Sequence, residues 1–259
     1  MAKKSEHDEA VEAFVKRMLE YSLRLVRPGT EGLPIEQGSG FFALHNHRIV
    51  LITAGHVVAE GEWFIESNVI LEREKEVLSV GLQDPKSIDS IGRNDLGWVE
   101  LDFNQLKGRL HSEEKLKGRE FSIPVYEGPL NQRPTTTMVY GFAKWNAAEY
   151  HPFLRALLRD PAYELYMHYD GIDTRNGCYR FALNRPHMGH EYYRGCSGAP
   201  VAGADGVIVS LVGGAPEEST ENIIWGVPLA DHIHLIGSES TGKSGREPGT
   251  VTTRSHPPP

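Results

Sequence analysis

The first third of the chain changes its hydrophobic pattern near residue 34. Before that point, apolar side chains recur every three or four residues, which is the spacing of one helical face. They are Val11, Phe14, Val15, Met18, Leu19, Leu23 and Val26. The pattern predicts an amphipathic helix over residues 6–26, with Ser5 as its N-cap and Asp8 and Glu9 in its first turn. We expect the helix to pack its apolar face onto the rest of the chain, and docking of a partner is the alternative.

From Ile35 onward, short apolar runs separated by Gly, Pro and Asn predict an all-β domain. A hairpin is predicted around the turn Asn46–His47, and two short helices are predicted over residues 152–159 and 229–236. The predicted strands are Gly38–Leu44, Ile49–Thr53, Trp63–Ile70, Val77–Leu82, Leu96–Leu101, Thr135–Phe142, Tyr163–Tyr169, Tyr179–Leu183, Pro200–Val201, Val207–Val212 and Ile223–Pro228.

These patterns divide the chain into three parts. Residues 1–33 form a helix and linker, residues 34–236 form the β domain, and residues 237–259 form a tail. The tail has almost no apolar side chains, so burial cannot offset the entropy of ordering it. The sequence therefore predicts a disordered tail.

Net charge and cysteine content indicate which partners and which cellular compartment to expect. The net charge is −8, whereas nucleic acids and anionic membranes both call for a basic surface, so neither is an expected partner. The chain has no apolar run of membrane-spanning length, and its start lacks the apolar core of a signal peptide. Cys178 and Cys196 are the only cysteines, which argues against a disulfide framework. We expect a cytoplasmic protein.

Three segments carry the residues of acyl-transfer chemistry. His56 ends the segment LITAGH just after a predicted strand, Asp95 precedes a predicted strand in RNDLGWVEL, and Ser197 lies in GCSGAP. A serine hydroxyl becomes a useful nucleophile when a histidine removes its proton, and a buried carboxylate holds that histidine in the required tautomer. The three segments therefore predict a catalytic triad.

Other acids near Asp95 are alternatives for the carboxylate. Asp84 precedes a proline, Asp102 follows the predicted strand, and Asp89 lies between them. We interpret these as loop acids. Asp95 is favoured because the apolar alternation of a strand begins directly after it.

Together these segments resemble the chymotrypsin-like serine peptidases, whose order is also histidine, aspartate, serine. TAGH is similar to the TAAH signature of that family, and the resemblance covers roughly residues 34–235. It implies two six-stranded antiparallel β-barrels, roughly 34–130 and 131–236, with the active site between them. It also implies a serine endopeptidase that forms an acyl-enzyme on Ser197, with the amides of Gly195 and Ser197 as the oxyanion hole, a protein or peptide substrate and no cofactor.

Cys196 departs from the digestive-type members of that family. There an aspartate before the nucleophile receives a new N-terminal ammonium, so its absence argues against activation by chain cleavage. The resemblance is therefore closer to the bacterial HtrA-like branch, without a PDZ module because few residues follow Ser197. Regulation is then expected from a protein partner. Cys196 is interpreted as a structural residue of the oxyanion loop, and a direct chemical role is the alternative.

Substrate specificity stays open at the level of sequence. Glu191 lies six residues before Ser197, where trypsin-like enzymes form the floor of the main pocket, and an acid there would favour Arg or Lys. The HtrA-like branch shapes this pocket differently, so we favour the interpretation of Glu191 as a solvated loop acid. The resemblance places Ser210, Leu211 and Val212 in the pocket wall, where Val212 would favour small or medium aliphatic side chains. The two hints disagree.

No metal site is predicted. The pairs His45/His47, His187/His190 and His232/His234 lack cysteines or carboxylates in register, which makes them weak metal signals. Two other functions remain open: a catalytically silent peptide-binding or scaffold protein of the same fold, and a serine esterase that uses the same triad.

Overall fold

Two antiparallel β-sheets contain most of the described residues. The structure, a computed structural model, describes residues 5–28, 34–71, 76–82, 84–88, 92–101, 124–151, 156–214 and 221–236, and the predicted tail over 237–259 lies outside them. The strands are β1 (Ser22–Pro28), β2 (Pro34–His45), β3 (Arg48–Ala54), β4 (Phe64–Leu71), β5 (Glu76–Gly81), β6 (Lys86–Ser87), β7 (Leu96–Glu100), β8 (Val139–His151), β9 (Ala156–Ile172), β10 (Tyr179–Ala182), β11 (Pro200–Gly203), β12 (Ile208–Gly214) and β13 (Ile223–Pro228). The helices are α1 (Glu6–Tyr21), α2 (Gly55–Val58), α3 (His190–Tyr193) and α4 (Leu229–His232).

The strands form an N-terminal sheet and a C-terminal barrel. The sheet has the strand order β5-β4-β1-β2-β3-β7-β6, in which β6 is a two-residue edge strand. The barrel closes in the order β10-β13-β12-β11-β8-β9. This confirms the predicted all-β class with two antiparallel sheets preceded by a helix. Of the two predicted six-stranded barrels, the C-terminal one is a closed six-stranded barrel, whereas the N-terminal one is described as a sheet of seven strands that includes β1. The turn Asn46–His47 has positive φ at both residues, which matches the twist of a tight hairpin.

Strand β1 corrects the predicted end of the first helix. The helix ends at Tyr21, and the next seven residues form a strand between β2 and β4. Leu23 and Val26 continue the three-and-four spacing by coincidence, because both are buried by the neighbouring strands rather than by a helical face. The sheet therefore begins at Ser22, inside the segment predicted as helix and linker.

Helix α1 packs its apolar face onto the barrel, as predicted. Met18 and Leu19 are buried, and Phe14 and Val15 pack against the same cluster. The indole N–H of Trp145 in β8 donates to the Leu19 carbonyl at 3.0 Å, which closes the C-terminal end of the helix onto the barrel. No helix in the described ranges has the length and apolar composition that a membrane span requires.

The predicted helix over 152–159 is wrong where the structure describes it. Residues 156–159 begin strand β9 and pair with the end of β8, with Ala156 opposite His151 and Arg159 opposite Ala148. Their backbone N–H and C=O groups form hydrogen bonds within the long β8–β9 hairpin. This pairing outweighs the local preference for a helix that the proline at position 152 indicates. Residues 152–155 lie outside the described ranges.

One apolar cluster joins the two sheets. Phe41, Ile52 and Leu96 enter it from the N-terminal sheet, and Leu211 and Val227 enter it from the barrel. All five side chains are fully buried. Burial of this kind contributes roughly 1.5–3 kcal/mol for each large aliphatic or aromatic side chain. The two sheets therefore share an apolar core, and this core holds them in a fixed position relative to one another.

A buried ion cluster also crosses from the sheet to the barrel. Glu66 in β4 forms ion pairs with Arg24 in β1 and with Arg159 in β9, and all three side chains are buried. Burial lowers the pKa of both arginines to about 10. The Glu66 carboxylate thus pairs with two desolvated guanidinium groups.

Glu66→Gln is expected to lower the free energy of unfolding by about 3–5 kcal/mol, because it leaves two buried cations without their carboxylate. Urea unfolding followed by circular dichroism would measure the loss. Glu36→Gln is the matched control, since Glu36 pairs with Arg27 but is 49% exposed. Its cost should be about 1 kcal/mol or less. Equal losses in the two variants would contradict this account of the cluster.

Candidate active site

Strand pairing brings His56 to Asp95. Strands β3 and β7 run antiparallel with Ala54 opposite Leu96, so the residues just after β3 meet the residue just before β7. His56 lies in the first turn of α2, and its Nδ1 is 2.7 Å from Asp95 Oδ2. Its backbone N–H donates to Asp95 Oδ1, also at 2.7 Å. Asp95 therefore holds both the backbone and the ring of His56.

This contact fixes the proton on the His56 ring. An ionised carboxylate only accepts hydrogen bonds, so Nδ1 carries a proton, and in the neutral ring Nε2 is then the nitrogen with the lone pair. The Asp95 side chain is 5% exposed and the His56 side chain is 39% exposed. The carboxylate is thus enclosed while the ring faces open space, the arrangement that a general base requires.

The loop that carries Asp95 is anchored by the barrel. A 3-10 turn over Gly92–Asn94 precedes Asp95, whose N–H donates to the Gly92 carbonyl at 3.1 Å. The Arg93 N–H donates to the Asn176 carbonyl at 2.9 Å. His232 Nε2 lies 2.8 Å from the Arg93 carbonyl oxygen, which can only accept, so this imidazole donates. Sequence reasoning missed Asn176 and gave His232 only as part of a weak metal pair.

Ser197 lies on a sharp turn between α3 and β11. Gly195 and Gly198 on either side of it have φ of +78° and +86°, the left-handed region that glycine adopts without strain. The Cys196 N–H donates to the Tyr193 carbonyl at 2.9 Å, and the Gly198 N–H donates to the Val212 carbonyl at 2.7 Å. These two amides are therefore already paired with carbonyl groups of the protein.

The N-terminal sheet holds this turn from the other side through Ser39. The Ser39 N–H donates to the Ser197 carbonyl and its Oγ–H donates to the Gly195 carbonyl, both at 2.7 Å. Thr53 Oγ1 in turn donates to the Ser39 carbonyl at 2.6 Å. Ser39 and Thr53 are both buried. Nothing in the sequence distinguished Ser39 beyond its place in a glycine-bearing strand.

A cavity of about 770 Å³ brings the predicted residues together. Its lining includes His56, Gly195 and Ser197 with residues from both sheets. The predicted histidine and serine thus share one open cleft, with Asp95 buried directly behind the histidine. The structure places the proposed oxyanion donors Gly195 and Ser197 on the same lining.

The predicted specificity residues take different places. Val212 lines the cavity, followed by Gly213 and Gly214. Ser210 and Leu211 are buried, and Leu211 belongs to the cluster between the sheets. The Glu191 side chain is 86% exposed and is not among the described residues that line the cavity. The helical turn of α3 directs it to solvent, where it lies 4.0 Å from the Arg194 guanidinium group.

Cys196 lines the same cavity with its thiol enclosed. Both cysteines are free and buried, and burial raises the pKa of each thiol to about 12. A thiol with that pKa stays protonated at neutral pH, whereas the nucleophile is the thiolate. Cys196 is therefore unsuited to nucleophilic attack. In the described ranges, no group of three or more His, Cys, Asp or Glu side chains is placed to hold a metal ion.

Comparison with known proteins places the fold. No family model and no curated protein matches the sequence. Among solved structures, the serine endoprotease from Yersinia pestis is similar at 13% identity and a TM-score of 0.51, over 91% of this chain and 66% of that one. Human heparin binding protein is similar at 13% identity and a TM-score of 0.53, over 91% and 96% of the two chains. HL collagenase is similar at 10% identity and a TM-score of 0.53, over 85% and 93%.

These structures define the class of fold. The chain has the two-sheet fold of the chymotrypsin-like serine proteases, at identities that establish the fold alone. It spans just under two thirds of the Yersinia pestis endoprotease chain. The similarity to a protein described by heparin binding, as well as to proteases, means that the function has to be argued from the site.

Gly198→Ala is expected to destabilise the protein through the contact between the two sheets. A Cβ at this position would collide with the Ser39 carbonyl oxygen and lie 2.5 Å from Thr53 Oγ1. Gly171→Ala is the matched control, because Gly171 has φ +93° and no atom within 4 Å of an added Cβ. We expect a loss of about 1–2 kcal/mol in the free energy of unfolding for the control. Gly198→Ala should cost about 1–3 kcal/mol more. Equal costs in urea unfolding would argue against tight docking of the turn.

Proposed function

We propose that this protein is a serine endopeptidase that works through a Ser197–His56–Asp95 triad. The observation that carries the proposal is the shared cavity, in which Ser197 and His56 lie on one lining while Asp95 fixes the His56 proton on Nδ1. A ring held in that tautomer offers Nε2 to the serine hydroxyl. The chymotrypsin-like fold of the chain supports proteolysis as the class of reaction.

The proposed reaction has two balanced halves. His56 Nε2 takes the proton of Ser197 Oγ as the oxygen bonds to the peptide carbonyl carbon, and the amides of Gly195 and Ser197 receive the negative oxygen. His56 then gives its proton to the leaving amine as the peptide bond breaks. Water, deprotonated by His56, displaces Ser197 from the acyl-enzyme, and the released acid and the original serine hydroxyl complete the cycle. No cofactor takes part in this scheme.

A fluorophosphonate probe tests the nucleophile directly. Wild-type protein should be labelled, and labelling should be lost in Ser197→Ala and His56→Ala. In a Ser-His-Asp site the change of Asp95 to asparagine should slow the reaction by about 10,000-fold, because the ring loses its tautomer. Ser87→Ala is the control, since Ser87 is an exposed serine on β6, and it should be labelled like wild type. A folded wild type without labelling would favour the silent peptide-binding or scaffold protein.

Substrates separate peptidase from esterase. Labelled protein that cleaves an unstructured polypeptide between residues supports the proposal, and protein that hydrolyses only activated esters supports a serine esterase. Placement in the HtrA-like bacterial branch, a cytoplasmic location and regulation by a protein partner remain predictions from the sequence. Full turnover of an unstructured polypeptide by the purified monomer would contradict the predicted regulation by a protein partner.

The cavity lining favours an aliphatic specificity. Val212 faces the cleft, whereas Glu191 extends into solvent. We expect Glu191→Gln to leave the cleavage preference unchanged and Val212→Gly to shift it toward larger side chains. Profiling with a peptide library would measure both variants. Loss of an Arg or Lys preference in Glu191→Gln would show instead that the acid reads the substrate.

A further inference from the structure

A buried lysine lies behind the turn that carries Ser197. Lys144 is in strand β8, and the residue is 3% exposed. Its Nζ donates to the Arg194 carbonyl at 2.5 Å and to Asn146 Oδ1 at 2.9 Å. Both of these acceptors are uncharged. Burial and the nearby Arg24 lower the pKa of Lys144. Burying an ammonium group disfavours folding unless it is hydrogen-bonded, and these two contacts supply hydrogen bonds.

The carbonyl that Lys144 holds belongs to the peptide group of Gly195. In a trans peptide the C=O and the N–H point in opposite directions, and the described chain has no cis peptide bonds. Lys144 draws the Arg194 oxygen into the barrel, so the Gly195 N–H is turned to the other side. Gly195 lines the cavity with Ser197, so an N–H turned away from Lys144 can reach that cleft.

A second anchor holds the following carbonyl. The Gly195 oxygen accepts the hydrogen bond from Ser39 Oγ, and a Cβ on Gly195 would lie 3.0 Å from the Gln37 side chain. Lys144 from the barrel and Ser39 from the N-terminal sheet therefore fix two successive peptide groups. Rotation of the first group would instead turn the Arg194 carbonyl toward the cleft, where its partial negative charge would repel an oxyanion.

We propose that Lys144 is a positioning residue that sets the Arg194–Gly195 peptide so that the Gly195 amide faces the reacting oxygen. The inference rests on the proposed function, which supplies that oxygen. Lys144 does not touch the substrate. Its side chain supplies a hydrogen-bond donor that holds the Arg194 carbonyl. The orientation of this peptide group therefore does not require a new N-terminal ammonium group formed by chain cleavage.

The test compares ligands that do and do not form an oxyanion. A peptide aldehyde forms a tetrahedral adduct with the serine, whereas the matching peptide alcohol binds without one. In Lys144→Met, kcat and the affinity for the aldehyde should fall about 100- to 1,000-fold, the effect of losing one oxyanion donor. KM and the affinity for the alcohol should stay within about twofold, because substrate binding does not require the Gly195 amide.

Two further variants separate positioning from a general structural effect. Lys144→Gln retains N–H groups that can donate to the Arg194 carbonyl, so it should recover part of the lost kcat. Lys86→Met is the matched control, since Lys86 is 44% exposed on β6, and it should behave like wild type. Thermal unfolding would show whether Lys144→Met is folded under assay conditions.

Four outcomes would overturn the inference. Unchanged kcat and aldehyde affinity in Lys144→Met would show that the peptide holds its orientation without the lysine. A parallel loss of aldehyde and alcohol binding, or failure of the variant to fold with no recovery in Lys144→Gln, would assign Lys144 a structural role only. Wild-type protein that reacts with neither the aldehyde nor a fluorophosphonate would contradict the proposed function itself, and the inference with it.

Discussion

The site depends on the contact between Ser39 and the turn that carries Ser197. Ser39 donates from its backbone to one carbonyl of the turn and from its hydroxyl to another, and its own carbonyl is held by Thr53. All three groups are inside the protein, where an unmade hydrogen bond costs about 1–3 kcal/mol. The position of the Ser197 turn on the barrel therefore depends on its hydrogen bonds to Ser39 in the N-terminal sheet. The same contact sets the shape of the cleft between the sheets.

The dependence runs in both directions. The N-terminal sheet holds the serine turn, and the barrel holds the Asp95 loop through Asn176 and His232. Neither half contains the complete candidate site, because each half holds the loop that carries a candidate residue of the other. Rigid placement of this kind is what a site needs when it stabilises charge that appears only during the reaction, since the donors are then oriented in advance. The apolar cluster shared by the sheets and the Glu66 ion cluster supply the stability that such a placement requires.

The sequence predicted the parts of the site that have local signatures. His56 follows a strand, Asp95 precedes one and Ser197 lies in a glycine-rich turn, so each could be found from its neighbours in sequence. Ser39 and Lys144 act on backbone carbonyls that are far away along the chain, and no side-chain motif marks such a contact. The end of α1 was misplaced for a related reason, because the apolar residues of β1 are buried by strands that arrive later in the chain.

Residue 196 and Lys144 are best understood together. Cys196 is enclosed beside Lys144, and its raised pKa keeps the thiol neutral. A carboxylate at this position would offer the ammonium group a charged acceptor, and charge-assisted hydrogen bonds are roughly twice as strong as neutral ones. We expect such a carboxylate to compete with the Arg194 carbonyl for Lys144. A small neutral side chain before Ser197 leaves the Arg194 carbonyl without a charged competitor for the Lys144 ammonium group. We therefore interpret the cysteine at position 196 and the buried lysine as parts of one arrangement.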